Sequence, residues 1–250
     1  ASAVRRLVRA KLAEIDDIRW EAAADFDRLV DVAFEGAESL ASEHLEETRQ
    51  MNNRWAEGVM LLTLAEVEKE QNEYFNCKVA DFDPVLNKAT EAKKIFQEMG
   101  DRQLEAEAWI ILADVHRRHE EGPSSWRIGA NQTFDCLDQA LLLLDDTDDV
   151  QGIAKAKHLM ALAYIHRNEV GEGLRLMEDA RDGFIRIQNR RLEAYELISI
   201  AESHLQKRFG REALPNAEEA LQIYSELLPD SRRIAEAKGL VIRAHLKRGD

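Results

Sequence analysis

Four histidines recur at one place in a repeated segment, and they are the residues whose spacing first suggests chemistry. His116, His166, His204 and His245 each follow an alanine by ten positions, the alanines being Ala106, Ala156, Ala194 and Ala235. A column of histidines would suit metal binding or proton relay. The geometry of stacked helices argues against one shared ion. Neighbouring helices pack about 8–10 Å apart, whereas a metal needs its nitrogens at about 2 Å. The histidines therefore read as partly buried helix-packing residues. No glycine-rich phosphate loop, serine nucleophile elbow or His-Glu-x-x-His pattern is present. The 48 acidic residues are expected to form the solvated faces of amphipathic helices. The acid run Asp145-Asp146-Thr147-Asp148-Asp149 lacks the alternation and the terminal Glu of a calcium loop, and reads as a turn that caps the next helix. The expectation is a chain that is not an enzyme, with no catalytic residues, no metal and no cofactor.

The elements that carry these histidines are repeats. Leu104–His116, Lys155–His166 and Glu193–His204 share one plan, with a second alanine at 113, 163 and 201, and Ala235–His245 is a weaker copy. The alanine-to-alanine offsets of 50, 38 and 41 indicate stacked supersecondary units, each burying its apolar face on its neighbours. Helical periodicity is nearly continuous: Leu104, Ala108, Ile111, Leu112 and Val115 form one stripe, and Leu137, Ala140, Leu141 and Leu144 another. Punctuation at Met99-Gly100-Asp101, Gln188-Asn189-Arg190, Gly210-Arg211 and Leu228-Pro229-Asp230 divides the chain. It predicts helix pairs over 1–49, 54–99, 102–146, 150–188 and 191–228, then a single unpaired helix over 231–250, all in one solenoid of residues 1–250. Long joints lie at Asn76–Pro84 and Gly122–Asn131. In the second, Trp126 is either an exposed partner anchor or a side chain folded back on a helix edge.

The totals exclude some partners. A net charge of −14 opposes a nucleic-acid groove and docking on an anionic membrane. The longest apolar runs, Val59–Leu62 and Ala140–Leu144, are far too short to span a bilayer. Two isolated thiols, Cys77 and Cys136, fit a reducing compartment, a disulfide being the alternative. Ala1–Lys11 is rich in Arg and free of acids, which fits an amphipathic first helix or the end of an organelle transit segment. The expected location is intracellular and cytoplasmic, with an organelle lumen or stroma after transit-peptide removal as the alternative.

The repeated unit resembles the tetratricopeptide repeat. The first-helix series is Trp109, Leu112, Ala113, His116, then Leu159, Leu162, Ala163, His166, then Leu197, Ile200, Ala201, His204. Second helices carry Ala213, Ala217 and Ala220 followed by Leu221, with weaker forms at Gly173, Met177, Ala180 and at Ala89, Ala92. The match is strong over 102–250, fair over 54–99 and poor before 50. The Gly-Asp-Arg lead-in at 100–102 and the long second helices resemble the longer-period members of kinesin light chains and polarity adaptors. His stands where that family has Tyr, and prolines after second helices are mostly missing. The resemblance implies an all-α, right-handed α-solenoid of stacked antiparallel helix pairs, a tetratricopeptide-like superhelix.

It also implies a concave groove lined by first helices. Helical spacing assigns to its floor Glu107, Ile110, Asp114 and Arg117, then Lys157, Met160, Tyr164 and Arg167, then Tyr195, Ile198, Glu202 and Leu205. The Lys and Asn with which chaperone-binding members grip a terminal carboxylate are missing. A floor of Ile110, Met160, Ile198 and Tyr164 beside Asp114 and Glu202 suits an amphipathic segment with basic residues. The alternative is that the protein's own N-terminal helices fill the groove. The function expected is a non-catalytic scaffold or adaptor that binds a partner segment. A structural subunit of a large assembly, held by its ends and convex face, is the second reading. At the C-terminal helix, Leu240, Val241, Ala244 and Leu246 are expected to lack cover, which predicts contact with another subunit, a second copy or further chain.

Overall fold

A computed structural model describes residues 1–17, 26–74, 82–120, 129–207, 209–227 and 232–248. Among these, all regular structure is helical: α1 (Ser2–Asp17), α2 (Phe26–Gln50), α3 (Arg54–Tyr74), α4 (Asp83–Met99), α5 (Arg102–Glu120), α6 (Gly129–Leu144), α7 (Val150–His166), α8 (Val170–Arg186), α9 (Arg190–Gln206), α10 (Gly210–Leu227) and α11 (Arg232–Arg248). No helix among the described residues is long and apolar enough to cross a membrane. Trp126 and Cys77 lie outside the described residues, as does most of both long joints.

The joints explain why helices start where they do. The amide donors of a helix's first turn lack intrahelical acceptors, and a short Asn or Asp side chain supplies one. The Oδ1 atoms of Asn53, Asp101, Asp149 and Asn189 accept from the backbone N–H of Ala56, Leu104, Gly152 and Leu192, at 3.1, 3.2, 2.9 and 3.2 Å. Three of these caps follow a residue in the left-handed region: Asn52 (φ 50°), Gly100 (φ 73°) and Gln188 (φ 56°). A left-handed residue ends one helix and an Asx cap starts the next, in two positions. At the acidic joint, Thr147 Oγ1 donates to the carbonyl of Leu144 at 2.8 Å while Asp149 caps α7, so that run is a turn.

The chain forms two compact units, one of Ala1–Ile15 with Asp27–Gly152 and one built on Ile153–Asp250. In the first, α3 packs on α4, α4 on α5 and α5 on α6, with α3 also touching α5. Val59, Leu62, Val85, Ala89, Phe96, Ala106 and Leu137 are buried there. In the second, α8 packs on α9, α9 on α10 and α10 on α11, and α9 also meets α11. Ala161 of α7 joins Leu176, Met177 and Ile200 in one cluster, and Leu197, Ala217, Ile223, Tyr224 and Leu240 belong to another. Consecutive helices packing in chain order around small residues make an all-α solenoid arrangement.

The C-terminal helix is better covered than its sequence suggests. Leu240 and Ala244 are fully buried in the cluster with α10, and Val241 packs against it. Leu246 stays 70% exposed and is joined by Ile242 at 60%. The cover comes from the preceding helix, α10, which packs on one side of α11. The contact is tight. A Cβ on Gly210, the first residue of α10, would lie 2.7 Å from the carbonyl oxygen of Ala244 and 2.8 Å from the amide nitrogen of Arg248. Backbone atoms cannot swing aside as a side chain can. Gly210→Ala should therefore destabilise the chain by about 1–3 kcal/mol, the usual cost of overpacking. Urea unfolding with an unchanged midpoint would show that α11 is not seated this way.

Candidate functional site

The first-helix face of the first unit is already occupied. α1 is tied to α3 and α5 by side-chain ion pairs, and its Val8 is fully buried and its Ile15 6% exposed. Two arginines one turn apart fix it. Arg5, itself 6% exposed, pairs with Glu107 and lies 3.3 Å from Glu66. Arg9 reaches Glu66 at 2.5 Å and Glu107 at 3.3 Å. Burial would weaken Arg9's hold on its proton, but Glu66 and Glu107 more than offset this and raise its pKa. The two glutamates thus form a clamp on a basic helix. Glu107 is a floor residue expected from helical spacing; Glu66, Arg5 and Arg9 were not. Their sequence signal is the Arg-x-x-x-Arg spacing in an acid-free stretch of an acidic chain.

The other floor residues of this unit are not open to a partner. Ile110 is 9% exposed, Asp114 5% and Arg117 7%. Asp114 is a hub: Arg117 Nη2 donates to it at 2.7 Å, Lys69 Nζ at 3.3 Å, and Arg118 Nε stands 3.6 Å away. Burial alone would raise its pKa, but Lys69, Arg117 and Arg118 overcome that and hold the carboxyl well below the usual range. Asp114 and Arg117 therefore neutralise one another inside the unit. Helical spacing alone could not show that these residues are buried.

In the second unit the face is more open. Lys157 pairs with Asp179 of α8 at 3.1 Å, Met160 and Tyr164 are half-buried, and Arg167 is exposed. Tyr195 is half-buried beneath Arg233, whose guanidinium carbon lies 5.8 Å from the ring centre. Ile198 is 4% exposed and belongs to the core cluster rather than to an open floor. Glu202 accepts from Arg243 of α11 at 3.1 Å. That pair borders a cleft of about 340 Å³ lined by Glu202, Leu205, Gln206, Arg243, Leu246 and Lys247.

One buried polar pair escaped the sequence reading. Nδ1 of His158 on α7 lies 2.8 Å from Oε2 of Glu196 on α9, and Glu196 is fully buried. Tyr195 tilts against the His158 ring at 5.3 Å. The signal was available in the aligned repeats. Two positions after the register alanine stand Ala108, His158, Glu196 and Ala237, so the outer copies carry alanine and the middle two carry complementary polar groups.

The histidine column divides: His116, His204 and His245 are half-buried and His166 is exposed. Nδ1 of His204 is buried with no hydrogen-bond partner among the described residues. Cys136 is buried, and burial pushes its thiol up to about 11.

No family model matches the chain, and no curated protein does. The crystal structure of BtubC (BKLC) from P. vanneervenii is similar to it, with a TM-score of 0.66 at 16% identity over 87% of this chain and 85% of that one. With the all-helical architecture, that likeness fits a tetratricopeptide-like helical repeat.

Two predictions follow from the buried charges. Asp114→Ala removes the buried carboxylate on which Lys69, Arg117 and Arg118 converge, so it should cost about 3–5 kcal/mol of stability. Denaturant unfolding checks this, and a loss below about 1 kcal/mol would show that the cluster is solvated. His204 carries a pH signature nearer neutrality. Burial lowers its pKa below the ordinary 6.5, against the pull of Glu212 and Glu178. As pH falls through that ordinary value the unfolded chain binds its proton first, so stability is full above it and declines below. His204→Tyr should remove this part of the decline, so its melting temperature relative to wild type should rise between about pH 7.5 and about pH 5.5.

Proposed function

We propose that this chain is a non-catalytic protein-interaction scaffold whose first-helix faces hold amphipathic helices. The observation that carries the reading is α1 on α3 and α5: an amphipathic helix, fixed by Arg5 and Arg9 between Glu66 and Glu107. Helix-in-groove recognition uses this plan of apolar anchors with charges at one-turn spacing. The partner class is a segment with apolar residues and arginines or lysines one turn apart. The second unit's face, with Met160, Tyr164, Tyr195 and Glu202 beside the α9–α11 cleft, supplies a further surface of mixed polarity. The likeness to BtubC (BKLC) supports the fold on which this reading rests. The Gly100-Asp101-Arg102 lead-in favours the longer-period, kinesin light chain type of repeat.

A second reading, a structural subunit held by its ends and convex face, draws support from the exposed Ile242 and Leu246. One experiment separates the two. In the full chain, Arg5→Glu with Arg9→Glu opposes like charges across the clamp and should release α1. A fluorescent peptide of residues 1–17 should then bind that variant in trans. It should bind unaltered protein at least about tenfold more weakly. Adding Glu66→Lys and Glu107→Lys should abolish binding. A peptide that binds none of these proteins shows that the face does not receive helices, and leaves the structural-subunit reading.

A further inference from the structure

Two helices expose matching stripes of opposite charge. On α2, Leu29 is 48% and Val32 56% exposed, and Gly36 follows on the same face. On α11, Ile242 is 60% and Leu246 70% exposed, with Gly239 on the same face. Both stripes use spacings of three and four, so each forms a straight ridge along its helix. Exposed Glu35 and Glu43 border the α2 stripe, with exposed Arg28 at its start beside Leu29; exposed Lys238, Arg243 and Lys247 border that of α11, with one exposed acid, Glu236, among them.

The two glycines are the informative residues. Each sits inside a helix, where glycine is less stable than alanine. A Cβ added at Gly36 or Gly239 would meet nothing within 4 Å among the described residues, so no described neighbour calls for either. Another helix lying against the stripe would call for both, because a missing side chain lets two backbones approach.

We propose that the α2 face of one copy docks against the α11 face of a second copy as an antiparallel helix pair. In that register Leu29 meets Leu246, Val32 meets Ile242 and Gly36 meets Gly239. Glu35 then lies beside Lys238, and Glu43 falls toward the start of α11. Charge selects this occupant over the simpler self-pairings. Two α11 helices would oppose Lys238 and Lys247 to their own copies, and two α2 helices would oppose Glu35 and Glu43. The contact is heterologous, joining different surfaces on the two copies, so it either closes reciprocally into a dimer or continues into a chain. The fit of α2 on α11 is independent of whether first-helix faces bind partners.

Sedimentation velocity across a concentration series, on the full chain, tests this. Self-association should appear and weaken with added salt, since the flanking charges are exposed. Gly239→Leu has room within the chain, so it should keep its melting temperature and lose association. Glu35→Lys and Lys238→Glu should each weaken association by about tenfold. Mixing those two variants should restore it, because the reversed charges again face each other. A chain that stays monomeric up to about 1 mM overturns the proposal. So does association that survives Gly239→Leu, or charge reversals with no rescue on mixing, since either result places the self-contact on another surface.

Discussion

Everything in this molecule hangs on how closely its helices approach, and alanine sets that distance. In the first helices Ala106, Ala113, Ala156, Ala163, Ala194, Ala201, Ala237 and Ala244 are all exposed by 3% or less. In the second helices Ala89, Ala92, Ala180, Ala213, Ala217 and Ala220 are fully buried. One-carbon side chains bring axes toward the short end of the range for helix packing. Large residues such as Phe96, Met177 and Tyr224 then fill the hollows beside the alanines. A solenoid has no central core to absorb an error, so each seam must close by itself.

Close seams have an electrostatic consequence. Side chains on neighbouring first helices come within ion-pair range, as with His158 and Glu196 at 2.8 Å and Glu202 and Arg243 at 3.1 Å. Lys69 of α3 and Asp114 of α5 meet in the same way at 3.3 Å. A buried ion gives up hydration, and only a well-placed partner offsets that loss. Sliding α9 along α7 by one residue would bury Glu196 without His158. The polar pairs thus select one stacking register, while the alanines, alike in every repeat, do not distinguish one from another.

The parts of the fold that were legible in the sequence are those set by local spacing. Helical class followed from the three-and-four periodicity, and the helix starts at Asp101 and Asn189 from their turn chemistry, because a cap acts within three residues of itself. What depends on distant chain was not legible. Helical spacing put Ile110, Asp114 and Arg117 on the outer side of α5, and nothing local to α5 reveals that Lys69 of α3 comes to meet Asp114. The same limit misjudged Leu240 and Ala244, which look uncovered only if the preceding α10 is ignored. His158 and Glu196 were readable in principle, since the aligned copies differ there, but the alignment was used for what repeats and not for what departs.

The two units therefore present their first-helix faces in different states, and the difference has a binding consequence. A segment tethered within the same chain competes at an effective concentration of order mM. A basic helix from elsewhere must exceed that advantage before it displaces α1 from Glu66 and Glu107. Arg5 is almost wholly buried, so displacement also breaks contacts that are well shielded from salt, unlike the exposed pair of Glu202 and Arg243. Met160, Tyr164, Tyr195 and Glu202 keep partly open positions in the second unit.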